Sequence, residues 1–259
     1  MTARFAMMYL ASPALPVGGF AWSQGLESAI ELGWVKDRQT LADWLSATLE
    51  DGIAQLDLPA IHLATAIMLT HEVSGDGEAG NETRSAHLHR LLRACSGELS
   101  TLSQRILAFR ETSELLAEDR QLAATMARLL SQNPEGPQSG SLSDLSEPRE
   151  ARAGLASDIA DFAWPLVFAL GGRLWKMSAE ECASAFVWSW LENQVSAAQK
   201  TIPLGQTDAQ SVLQYFLPRL DALVTRSAAI GVDDIGSGLP GMAIASMLHE
   251  TQYARLFRS

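Results

Sequence analysis

Cysteine is nearly missing from this chain: Cys95 and Cys182 are its whole supply in 259 residues. Two thiols so far apart exclude a disulfide framework and a Cys-x-x-Cys metal knuckle. They read instead as free, buried thiols of a reducing compartment. Positive charge is also short. Against 30 Asp and Glu stand 19 Lys and Arg, for a net charge of −11. That balance disfavours nucleic acid or an anionic membrane as partner, because both reward clustered basic residues. It suits a partner with a basic patch. No continuous apolar run approaches the ~20 residues of a membrane span. Arg4 followed by Phe5 to Ala11 imitates a secretion signal. The run is short, however, and Pro13 and Pro16 interrupt the chain just beyond it, so the reading is a cytoplasmic protein.

Strand-type alternation is absent too, which leaves helical periodicity and an all-α fold. The expectation is one globular domain over 1–259, an irregular bundle of eight to ten helices. Thr40-Leu-Ala-Asp43 reads as a variant capping box opening a helix. Asp57-Leu-Pro59 starts another, with proline in the first turn where its missing N–H does no harm. Residues 87–131 read as two helices or one bent one. Helix resumes from Ile159 to Trp175. Ala183, Phe186, Val187, Trp190, Leu191, Gln194, Val195 and Ala198 then recur at three and four, a broad stripe predicted to be buried. Thr207 to Ile230 is a further long helix, with Pro218 set to kink or split it. Pro240 starts a short final helix that ends near His249. Polar stretches at 74–86 and 131–154 are predicted to be loops.

Catalytic templates fail in turn. No His is preceded three residues earlier by Asp or Glu, so a carboxylate-bridged metal pair in a bundle is missing. His87 and His89, two apart on a helix, face different ways. Gly236-Ser-Gly-Leu-Pro-Gly241 spells a dinucleotide fingerprint, but no strand precedes it and little chain remains after it, so it reads as a tight loop. Ser12 and Ser23 lie near glycines without forming Gly-x-Ser-x-Gly. Paired Asp233-Asp234 reads as a solvated turn. The reading is a chain without an active site, a metal or a cofactor of its own.

The residues that are present shape surfaces. Pro13 and Pro16 restrict the backbone ahead of Gly18-Gly19, presenting Phe20 and Trp22 in a defined loop before the helix that holds Glu27. Those aromatics either face a partner or cap the core. Lys200 closes the striped helix, where a cation meets the negative helix end or a partner. Tyr253-Ala-Arg255-Leu256-Phe257-Arg258 joins residue types frequent in interface hot spots. Such a tail either docks on its own body or orders on a partner.

Segments in order along nearly the whole chain resemble one family, the urease accessory proteins UreF. They are Ser12-Pro-x-Leu-Pro-Val-Gly-Gly-Phe20 with Ser23-Gln-Gly-Leu-Glu27, Arg110-Glu-Thr-Ser-Glu-Leu115 and Trp190-Leu-Glu-Asn-Gln-Val195. Pro203-Leu-Gly-Gln-Thr207, Asp233-Asp-Ile-Gly236, Pro240-Gly-x-Ala-Ile-Ala245 and His249-Glu-Thr-Gln-Tyr253 with Arg255-Leu-Phe-Arg258 continue the match. Trp22 stands where the family more often has tyrosine. The resemblance implies an all-helical, dimeric, non-catalytic scaffold for nickel insertion into urease. It would bind UreD (also called UreH), recruit the GTPase UreG and act on the urease apoprotein. Carried over, Tyr253, Arg255, Leu256, Phe257 and Arg258 would face UreD, and Lys200 with Pro203 to Thr207 would meet the GTPase. Phe20, Trp22 and Glu27 complete the expected partner-binding set. The competing reading is a helical metallochaperone that binds nickel itself through His249, His62 or the acidic pairs.

Overall fold

The structure is a computed structural model that describes residues 3–73, 84–132 and 159–258. Among them there is no strand. Helices α1 (Ala3–Leu10), α2 (Leu26–Glu31), α3 (Arg38–Ala47), α4 (Asp57–Val73), α5 (Arg84–Ala108) and α6 (Ser113–Gln132) come first. After them come α7 (Trp164–Leu174), α8 (Ala179–Thr201), α9 (Gln206–Ser227) and α10 (Pro240–His249). The all-α expectation is met. The loop stretches 74–86 and 131–154 lie outside the described residues, except that 84–86 already belongs to α5 and 131–132 to α6.

Helices α4, α7 and α8 form the middle of the bundle and pack on one another. Around them α5 lies on α4, α6 on α7, and α1, α2 and α9 on α8, while α10 bridges α2 and α6. Every helix contributes buried apolar side chains to one contiguous core. All eight residues of the predicted α8 stripe are buried. α1 packs Ala6 and Leu10 into that core. The run Arg38–Glu72 is long and apolar enough to cross a membrane, yet 67% of its most apolar window is buried inside the protein. Its apolar surface is already covered by neighbouring helices.

Local chemistry sets the boundaries. α3 begins earlier than expected, on an Asp37–Thr40 box: Asp37 accepts from the Thr40 amide at 2.9 Å, and Thr40 Oγ1 accepts from the Asp37 amide at 3.1 Å. Both Asp-x-x-Thr and Thr-x-x-Asp were on offer, and the extended backbone at Asp37 decides for the former. Pro218 does not split α9, which runs through it. Between α3 and α4 lies a π turn, Thr48–Ile53, where Gly52 leaves room for Leu239, which a Cβ would meet at 2.7 Å. Gly25 is required twice over. Its φ is +78°, and a Cβ would meet the Met242 carbonyl and the Ser246 amide at 3.1 Å. That close approach lets α2 lie against α10.

Both cysteines are free and buried. Burial pushes the Cys95 thiol up to about 11 and raises Cys182 further. Thiolate is the reactive form, so neither should react with Ellman's reagent at pH 8 until urea unfolds the chain. Prompt labelling of the native protein would contradict this packing.

Candidate docking surface

The signature segments at the two ends of the chain come together on one face. At its centre is His249, the last residue of α10, with no exposed surface. Its Nε2 lies 3.1 Å from Glu27 Oε2, and its Nδ1 lies 3.0 Å from Glu114 Oε2. Glu27 belongs to the first turn of α2, where the helix dipole favours a carboxylate. Glu114 holds the same position in α6. Three helix ends are thereby tied by side chains that water barely reaches, where such bonds are strong.

The tail is built on this hub. Backbone amides of Leu256 and Phe257 donate to Glu27 Oε1 and Oε2 at 2.7 and 2.9 Å. Arg255 Nη1 donates to Glu114 Oε1 at 3.0 Å. Arg258 reaches the N-terminal loop through its amide, which donates to the Ala21 carbonyl at 2.9 Å. Its guanidinium donates to Gln121 Oε1 at 2.7 Å. Of the two readings left open, docking on the chain's own body is the one observed. Phe257 is 7% exposed and joins the core, and the Lys200 ammonium lies 5.4 Å from its ring centroid. Lys200 and the tail, expected to serve two partners, are therefore neighbours.

The N-terminal loop is held just as firmly. Asn193 Nδ2 donates to the carbonyls of Gly19 at 2.9 Å and Trp22 at 3.3 Å. Gln24 Oε1 accepts from Trp190 Nε1 at 2.7 Å, and Gln24 Nε2 donates to Glu118 Oε1 at 3.0 Å. Trp22 departs from the expected presentation: it turns inward to 4% exposure, while Phe20 stays 60% exposed. Phe20 lies within the 3-10 turn Gly19–Ala21, while Trp22, just beyond it, has extended backbone.

Three of the expected partner-binding residues, Trp22, Glu27 and Phe257, are thus buried and hold the face together from within. Phe20, Tyr253 and Leu256 point outward. Ile244, Met247 and Leu248 of α10 join them as exposed apolar side chains. Their spacing of three and four was legible as a helix face, but which face α10 buries depends on α2 and α6.

A second polar centre lies behind the face. Arg110 donates to Asp57 Oδ1 at 2.5 Å and to Asp119 Oδ2 at 2.9 Å, and Asp119 Oδ1 accepts from the Trp164 amide at 2.7 Å. Sequence reasoning placed Arg110 in a motif without finding its partners.

The remaining candidates disperse. His71 pairs with Glu98 at 2.6 Å, and Arg105 Nη2 donates to the Asp233 carbonyl at 2.7 Å, fixing the acidic turn. Burial lowers the pKa of His62. The side chain of His87 lies outside the described residues. Among those described, no cluster of three or more His, Cys, Asp or Glu is arranged to hold a metal ion. At His249 the two carboxylates sit on opposite ring nitrogens and share no common point.

Fold and site together define an all-α protein with a firmly held, apolar-studded face at its joined termini. The profile of the UreF family matches residues 35–216. Proteins named urease accessory protein UreF are similar over nearly the whole chain. That of Chromohalobacter salexigens is 40% identical over 256 residues, covering 98% of this chain and 93% of that protein. The Alkalilimnicola ehrlichii protein is 37% identical over 250 residues, covering 96% and 93%. The Alcanivorax borkumensis protein is 36% identical over 258 residues, covering 100% and 99%. This chain belongs to the UreF family.

Proposed function

We propose that this protein serves urease maturation as a non-catalytic, cytoplasmic scaffold. It binds UreD through the face at its joined termini and recruits the GTPase UreG beside it, for nickel insertion into urease apoprotein. A homodimer is the working unit. The observation that carries this reading is the tail, fixed by Glu27, Glu114 and His249 with Tyr253 and Leu256 left bare. A prefolded face binds without a further ordering penalty, and exposed aromatic and aliphatic anchors supply the affinity. Family membership supplies urease as the destination.

The face divides into supports and anchors, so its variants should separate. Tyr253→Ala with Leu256→Ala leaves every described tail hydrogen bond in place. It should weaken co-purification with UreD at least ~10-fold, the loss of more than 1.4 kcal/mol that hot-spot truncations bring, while leaving the helical circular dichroism unchanged. Arg258→Ala should weaken it less, through a looser tail. Undiminished UreD binding by the double variant would refute the assignment of this face. Lys200→Ala is expected to spare UreD binding and reduce retention of UreG.

A further inference from the structure

The N-terminal loop is gripped by two α8 side chains one turn apart, Trp190 and Asn193. Both belong to the motif Trp190-Leu-Glu-Asn-Gln-Val195, to which the scaffold reading gives no task. Trp190 Nε1 donates to Gln24 Oε1 at 2.7 Å, which fixes the far end of the loop. Asn193 Nδ2 donates to the carbonyls of Gly19 at 2.9 Å and Trp22 at 3.3 Å. Those carbonyls bracket the 3-10 turn Gly19–Ala21, which packs on α8. Both acceptors are carbonyls, so the Asn193 amide must present its nitrogen, and the two N–H groups serve one acceptor each.

The turn has little else to hold its shape. Its own bonds run from the Ala21 amide to the Gly18 carbonyl and from the Trp22 amide to the Gly19 carbonyl, both at 3.1 Å. Hydrogen bonds of a 3-10 turn have poor geometry. Leu15 and Val17 before the turn and Trp22 after it are buried and seat the loop on the body. Attachment of the loop therefore does not depend on Asn193. What the clamp fixes is the turn between those seats, whose Phe20 is 60% exposed. Burying a phenylalanine side chain is favourable, so a turn without the clamp gains by folding Phe20 back onto the surface.

Turn and tail adjoin. The Ala21 carbonyl accepts from the Arg258 amide at 2.9 Å. Gln121, which accepts from the Arg258 guanidinium at 2.7 Å, also reaches the turn: its Nε2 lies 3.7 Å from where a Cβ on Gly18 would stand. Phe20, one residue from Ala21, thus borders the tail that carries Tyr253 and Leu256.

We propose that Asn193 is a positioning residue that holds Phe20 out as a third apolar anchor of the docking face, matched to an apolar hollow on UreD. The inference rests on the scaffold reading for its partner and on the loop geometry for the clamp. Asn193 acts through Phe20, whose preset conformation spares an ordering penalty on binding.

Asn193→Asp is nearly isosteric, but it sets carboxylate oxygen against two carbonyl oxygens. Exchange of the Trp22 amide in the full chain should speed up about 10-fold or more in this variant, with helical circular dichroism unchanged. Phe20→Ala should weaken UreD binding about 10-fold, and Asn193→Asp about 3- to 10-fold. The double variant separates positioning from general support of the fold. In the Phe20→Ala background, Asn193→Asp should cost less than about 2-fold more, because the group it positions is gone. Asn193→Ala, which removes the donors without adding charge, repeats the cycle if Asn193→Asp folds poorly.

Three results overturn the proposal: a Trp22 amide as protected in Asn193→Asp as in the wild type, full UreD binding by Phe20→Ala, or penalties that simply add. The Tyr253→Ala, Leu256→Ala protein is measured alongside. Weak binding by it with full binding by Phe20→Ala defeats the Phe20 anchor and leaves the scaffold reading standing. A wild type that does not bind UreD defeats the scaffold reading and the anchor together.

Discussion

Replacing Arg110 by methionine is expected to remove about 3–5 kcal/mol of stability, the loss incurred when one partner of a buried ion pair is deleted. A domain is stable by only about 5–15 kcal/mol, so a large share of the molecules would be unfolded or poorly soluble at 37 °C. The size of the effect comes from the charges that stay behind. Asp57 and Asp119 are both 3% exposed and lose their shared counter-charge. Burial works against the charged guanidinium, but Asp57 and Asp119 outweigh it and raise its pKa. Burial also pushes the Asp119 carboxyl up, with Arg110 and the Trp164 amide holding it back. Urea denaturation followed by circular dichroism measures the loss. Arg110→Met combined with Asp57→Asn and Asp119→Asn should recover more than half of it, because no unpaired charge stays buried. If the single variant is as stable as the wild type, this network does not hold the fold.

Glu27→Ala should release the tail. That carboxylate accepts from the Leu256 and Phe257 amides and faces His249 Nε2, at 2.7, 2.9 and 3.1 Å. A hydrogen bond to a charged group contributes roughly 1.5–3 kcal/mol. Losing two at the tail backbone should speed amide exchange at Leu256 and Phe257 by about 100-fold or more. The helices should hold, since α2 keeps its packing on α8 and α10. Glu27→Gln should fall between, retaining an acceptor without the charge. Limited proteolysis offers a second readout, with cleavage after Arg255 or Arg258 appearing only in the variant. Tail amides that stay protected in Glu27→Ala would show that Phe257 packing, not the hub, holds the tail.

Dependence on such distant partners separates the legible features from the rest. The α8 stripe is legible because helix periodicity is a local property, and every one of its positions is buried. Ser178-Ala-Glu-Glu181 also spells a capping box, and both its bonds form, at 3.1 and 2.8 Å. The start of α3 differs from its expected place because two overlapping cap spellings differ only in backbone conformation. Whether Phe20 and Trp22 face a partner or cap the core is open in the sequence, since a loop has no periodicity to assign its aromatics to one side; the structure divides them. The residue types of the tail suit an interface, and they suit equally the Glu27 and Glu114 carboxylates that receive it.

By itself the sequence determined the helical class, most helix positions and the family, because hydrophobic spacing, capping residues and ordered motifs are written in neighbouring letters. Only the tertiary structure decided which of those motif residues face outward and which sit inside as supports. Glu27, Glu114 and His249, or Asp57, Arg110 and Asp119, lie far apart along the chain. Their bonds exist only where packed helices bring their ends together and keep water out.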